Sequence, residues 1–130
     1  MGKRALVVSL LLFAASYSNA ESKVERCENM LTSGMYNELL EDICGFKGGV
    51  FSGFQDAYSR NSCPDLISTN KIHELAEDVA KDTIKRHLAF GEHDFCELNL
   101  DAYSDLSLAF KQGIDMFNQN EFKQKGSLEK

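Results

Sequence analysis

Glu92-His93-Asp94 is the one place in this chain where the residue types of acid–base catalysis and metal binding stand together. Adjacent residues rarely converge on one atom, and no nucleophile motif such as G-x-S-x-G accompanies them. The other histidines, His73 and His87, fall on one expected helix, too far apart to share a metal. No H-E-x-x-H pattern occurs. The four cysteines, Cys27, Cys44, Cys63 and Cys96, include no C-x-x-C pair and so lack zinc-ligand spacing. The expectation is a chain with no catalytic residue, no metal and no cofactor. What remains is contact chemistry. Gly91–Asn99 reads as an acidic loop tied down by Cys96, and a tied loop loses less entropy on binding. Glu92, His93, Asp94 and Phe95 are therefore the candidate partner-binding residues.

The elements that must position this stretch begin after a leader. Lys3 and Arg4 form a positive start, Ala5–Ala15 is apolar except for Ser9, and Ser18-Asn19-Ala20 offers small residues to a signal peptidase. The apolar run is short for a membrane span, so no stable anchor is expected. Residues 1–20 read as a signal peptide, 21–117 as one helical domain and 118–130 as a flexible tail. An even number of cysteines in an exported chain argues for two disulfides and a periplasmic or secreted location. No N-glycosylation sequon occurs, which favours the periplasm.

Loss of Lys3 and Arg4 leaves 12 Lys+Arg against 20 Asp+Glu, a net charge of −8. Such a surface suits neither nucleic acid nor anionic lipid, and it suits a basic protein partner.

Hydrophobic spacing predicts an all-α bundle of four to five helices. Val24, Cys27 and Leu31 mark a first helix closed by Ser33-Gly34. Met35, Tyr36, Leu39, Leu40, Ile43 and Cys44 continue an amphipathic pattern, and residues 35–60 form one helix or two. Residues 62–70 read as a loop, broken at Cys63-Pro64. A helix over 71–89 follows, with Ile72, Leu75, Ala76, Val79, Ala80, Ile84 and Leu88 as its apolar stripe and Ser68, Thr69 or Asn70 as its cap. Glu77–Lys81 and Asp82–Arg86 are acid-before-base pairs on its outer face. A last helix spans about Leu100 to Phe117 through Tyr103, Leu106, Phe110 and Ile114.

Gly45, Gly49 and Gly53 lie four apart, in one row with Ala57. Each glycine inside a helix costs roughly 1 kcal/mol relative to alanine. Such a row implies close helix packing, either within the fold or between two copies in a homodimer. The alternative is a break between helices at Gly45–Gly49. If 44–60 is a rod, Cys44 and Cys63 lie too far apart to bond. Two connectivities stay open: 27–44 with 63–96, or 27–63 with 44–96.

Leu39-Leu40-Glu41-Asp42-Ile43-Cys44, then Phe46-Lys47-Gly48-Gly49-Val50-Phe51-Ser52-Gly53-Phe54-Gln55-Asp56-Ala57, then Cys63-Pro64, then Ile72-His73-Glu74-Leu75 leading to Val79 and Leu88 form a recognisable layout. It resembles the periplasmic immunity, or resistance-associated, proteins that protect bacteria from peptidoglycan amidases delivered by type VI secretion. The resemblance covers about Leu39–Leu88. It implies a small helical inhibitor that plugs an amidase active site, often as a dimer. It carries over no individual inhibitory residue.

The expected function is thus a non-enzymatic exported binding protein, in its specific form an immunity protein whose partner is a basic cell-wall hydrolase. The alternatives are a periplasmic chaperone or stress protein that uses apolar helices on unfolded clients, and a carrier of a small apolar ligand. A secreted enzyme working through Glu92, His93 or Asp94 is a further class.

Overall fold

The computed structural model describes residues 22–113. The leader read at 1–20, the tail read at 118–130, and Ile114 and Phe117 of the last expected helix lie outside the described residues. Among the described residues there are four α-helices and no strand: α1 (Lys23–Cys44), α2 (Val50–Arg60), a 3-10 turn at Cys63–Asp65, α3 (Thr69–Phe90) and α4 (Glu92–Lys111). The all-α, disulfide-stapled bundle expected from the sequence is the observed architecture. α1 and α4 each pack against every other helix, while α2 and α3 share no extensive contact. No helix among the described residues is long and apolar enough to cross a membrane.

α1 starts at Ser22, whose Oγ accepts a hydrogen bond from the Glu25 N–H (3.1 Å) and satisfies one of the unpaired donors of the first turn. The expected stop at Ser33-Gly34 does not occur, and α1 continues to Cys44. Gly34 is buried, and a Cβ there would lie only 3.1 Å from Phe54 Cβ. Its lack of a side chain lets α2 approach α1, and the packing of the two helices offsets the low helix propensity.

The helix breaks at the glycines instead. Gly45 (φ 71°) caps α1 in the left-handed conformation, its N–H donating to Glu41 O (3.0 Å). Gly49 (φ 70°) precedes α2 in the same conformation. Neither has a neighbour where a side chain would be, so the expected helical ridge Gly45–Gly49–Gly53 is not formed. Those two glycines serve backbone conformation, not close packing. Gly53 alone keeps the expected role, since a Cβ there would reach 2.5 Å from Phe110 Cγ. The close approach that the sequence did not indicate is at Gly48. Its N–H donates to Tyr103 Oη (2.7 Å), its carbonyl accepts from Ser107 Oγ (2.7 Å), and Tyr103 Oη donates to Glu41 Oε2 (3.1 Å). The link between α1 and α2 is thereby held flat against α4.

Each disulfide belongs to one of two buried clusters. Cys27–Cys63 (Cα–Cα 5.4 Å) lies with Met30, Ala57 and Ile67. Cys44–Cys96 (Cα–Cα 5.6 Å) flanks Leu40, Val50, Phe54, Phe95 and Tyr103. Of the two open connectivities the chain takes 27–63 with 44–96. All four sulfurs are paired, as suits an oxidising space outside the cytoplasm.

α3 is capped by Ser68, whose Oγ accepts from the Lys71 N–H (3.2 Å). Its buried line differs from the expected stripe. Thr83 is fully buried and His87 half-buried, whereas Ile84 and Leu88 are exposed. Ile84 sits about 100° around the helix from Thr83. Thr83 tolerates burial because its Oγ1 donates to the Val79 carbonyl (2.7 Å).

Candidate functional site

The stretch expected to be an acidic loop is helical. Gly91 ends α3 and starts α4 by itself, at φ 80° and ψ 158°, a region that only glycine occupies without strain. α3 and α4 therefore form a hairpin with a one-residue turn. Glu92, His93, Asp94 and Glu97 all lie in the first two turns of α4, where the carboxylates also complement the positive end of the helix.

Packing separates the four candidate residues. Glu92, His93 and Asp94 are exposed, but Phe95 is 1% exposed and cannot touch a partner. Its ring meets His87 edge-on at 5.5 Å inside the core. The sequence placed Phe95 at the surface because a loop has no inward face; in a helix begun at Glu92, position 95 points back to the core. The exposed aromatic at this tip is Phe90, at 53%, and the exposed aliphatics are Leu98, at 65%, and Leu88, at 77%. Phe90, Asp94, Glu97 and Leu98 line one shallow depression. Neither Phe90 nor Leu98 was singled out from the sequence. Their signal was the pair of apolar residues that fall off the core line on either side of Gly91.

Two tethers fix this tip. Cys96 is bonded to Cys44 at the end of α1. Asn99 Oδ1 accepts from Tyr36 Oη (2.6 Å), and Asn99 Nδ2 donates to the Phe95 carbonyl (2.7 Å). Burial pushes the Tyr36 phenol above its ordinary value, against the opposing pull of the Arg86 guanidinium and of Asn99. Among the described residues, His87 Nε2 is buried without a hydrogen-bond partner beneath the hairpin.

His93 Nδ1 lies 3.3 Å from Asp94 Oδ1 and 3.7 Å from Glu97 Oε2. Each of the three offers a ligand atom within 4.8 Å of the others, so the trio has the donor set for a cation. All three are exposed, and the helix N-terminus beneath them opposes positive charge. Their chemistry is that of an acidic surface with an imidazole on it.

Among the described residues, two of the grooves that border α1 are large enough to note. One of about 560 Å³ carries Tyr36, Asp82 and Arg86 at its edge over Phe54, Val79 and Leu106. Arg86 Nε is bonded there to Asp82 Oδ2 (3.0 Å), which leaves the guanidinium largely compensated. The other, about 330 Å³, is lined by Met30, Leu31, Met35, Phe51, Phe54 and Tyr58 among others. The Tyr58 hydroxyl is buried without a partner among the described residues, and desolvation raises its pKa.

Comparison with known proteins returns no match to a family model, to a curated protein or to a solved structure.

Proposed function

We propose that this is an exported, non-enzymatic protein that acts by holding another protein, in its specific form a periplasmic immunity protein that blocks a peptidoglycan amidase. The observation that carries the proposal is the α3–α4 tip. It presents Phe90 and Leu98 to solvent beside Asp94 and Glu97, on a turn tied to α1 by Cys44–Cys96. Apolar side chains set among charges on a rigid frame are the composition of a protein-contact surface. An acidic chain also suits a basic hydrolase, since opposite charge speeds encounter.

The test is stoichiometric. The oxidised protein, titrated into a basic peptidoglycan amidase that it co-purifies with, abolishes release of cleaved muropeptides at about one equivalent. Turnover of a substrate by the protein itself, or failure to retain any protein from a periplasmic extract after cross-linking, overturns the proposal.

A second reading, a carrier of a small apolar ligand, is favoured by the methionine- and aromatic-lined groove between α1 and α2. Its volume falls within the range of small-molecule sites. Saturable displacement of a hydrophobic fluorophore that is lost in M35E or F51E would support that reading.

A further inference from the structure

The geometry points to the depression between Phe90, Asp94, Glu97 and Leu98 as the docking site for a cationic segment of a partner protein. That segment offers a lysine or arginine to the two carboxylates and an aliphatic side chain to Phe90 and Leu98. The inference rests on the contact-acting function proposed above and specifies where and by what chemistry the contact is made.

Three observations fix the occupant. First, the walls are of two kinds, two apolar side chains and two carboxylates, so neither a purely apolar nor a purely charged ligand matches them. Second, among the described residues no lysine or arginine is bonded to Asp94 or Glu97. Their ionic neighbour there is His93, which is charged only when protonated. On α3, Glu74, Glu77 and Asp82 carry Lys71, Lys81 and Arg86 as their own cations. The positive end of α4 accounts for the acids at Glu92 and Asp94, but it gives no reason for Phe90, Leu98 and the neighbouring Leu88 to stand in water. Third, a second copy of this chain would bring the same carboxylates face to face, and an anionic membrane would meet them with like charge. A partner of opposite charge satisfies both kinds of wall.

The frame suits the task. Gly91 leaves no loop to reorder, Phe95 anchors the turn from below, and Cys44–Cys96 ties it to α1. A partner therefore meets a surface already in its bound shape.

The experiment uses the whole oxidised protein and a synthetic amphipathic peptide with lysines on one helical face and leucines on the other. A control peptide has glutamate for lysine. Amide chemical-shift mapping follows each titration. The Lys/Leu peptide is expected to shift residues 88–98 saturably and to weaken as salt rises, while the Glu/Leu peptide leaves the spectrum unchanged. F90S/L98S and D94N/E97Q are each expected to weaken binding at least tenfold with helicity by circular dichroism unchanged, because all four side chains are exposed. The inference is overturned if the shifts spread over other acidic surface, if either double variant binds as the parent does, or if the tip variants instead abolish self-association of the free protein. An amidase held equally well by the tip variants would remove this surface while leaving the binding function standing. Mapping to the tip with no hydrolase ever retained would do the reverse.

Discussion

Replacing Cys44 and Cys96 by alanine removes the tether between the end of α1 and the second turn of α4, and its cost can be worked from the chain. The two residues are 52 apart. The loop-closure entropy for that length corresponds to about 4 kcal/mol of destabilisation at 25 °C. In a domain of this size each kcal/mol lowers Tm by about 4–8 °C, so C44A/C96A should melt roughly 20 °C below the parent. Cys27–Cys63 spans 36 residues, and its loop term is nearly as large. Its sulfurs, however, are buried at the centre of a cluster with Met30, Ala57 and Ile67, while Cys44 and Cys96 sit at the edge of theirs. C27A/C63A therefore adds a cavity cost of on the order of 1–2 kcal/mol and should be the less stable variant despite its shorter loop. The loops overlap between Cys44 and Cys63, so the two losses should not add. Thermal unfolding followed by far-UV circular dichroism, without reductant, reads both Tm values. A Tm within about 5 °C of the parent for C44A/C96A, or a higher Tm for C27A/C63A than for C44A/C96A, would refute the reasoning.

Y103F should destabilise by about 1–3 kcal/mol in urea with an unchanged slope, because Gly48 N–H and Glu41 lose the phenol that links them. Y58F should change stability by less than about 0.5 kcal/mol or raise it slightly, because that hydroxyl is buried with no partner to lose. G91A should cost about 1–3 kcal/mol although nothing among the described residues crowds its Cβ, since the strain is in the backbone at φ 80° and ψ 158°; urea midpoints against the parent measure it. Burial raises the phenols of Tyr36, Tyr58 and Tyr103 above 10.0, against smaller opposing hydrogen bonds at Tyr36 and Tyr103. A raised folded pKa means that the folded state holds the proton longer. The resulting stability is complete below the unfolded value near 10 and is lost as pH rises through the folded values. Tyrosinate absorbance should lag behind that of the unfolded chain and then rise with loss of helicity; titration of all three phenols at 10.0 in the folded state would contradict this.

Helical spacing made the all-α class and most helix positions legible, and the even cysteine count made the two disulfides legible. Three kinds of feature escaped it, for physical reasons. Gly34 looked like a stop because propensity is local, and the approach of Phe54 that justifies a glycine there is not. An apolar stripe on α3 omits the polar Thr83 and His87 and so runs too far round, through Ile84 and Leu88; polar side chains with local or edge-on partners can still face inward. Gly91–Asn99 looked like a loop because glycine and charge mark loops, and the same charges favour a helix N-terminus once a helix is there. At the candidate site, Glu92, His93 and Asp94 are exposed as a contact role requires, Phe95 points inward, and Phe90 and Leu98 stand exposed without having been singled out from the sequence.

By itself the sequence determined which residues alternate at helical period, that the sulfurs could pair, and that the chain is acidic. Only the tertiary structure decided which sulfurs meet, which glycines bend the backbone and which admit a neighbour, and which apolar residues remain in water. The reason is that periodicity describes one helix at a time. Whether a given face is covered depends on where the other helices end, and here Gly91 and Cys44–Cys96 set that geometry for the tip of the α3–α4 hairpin.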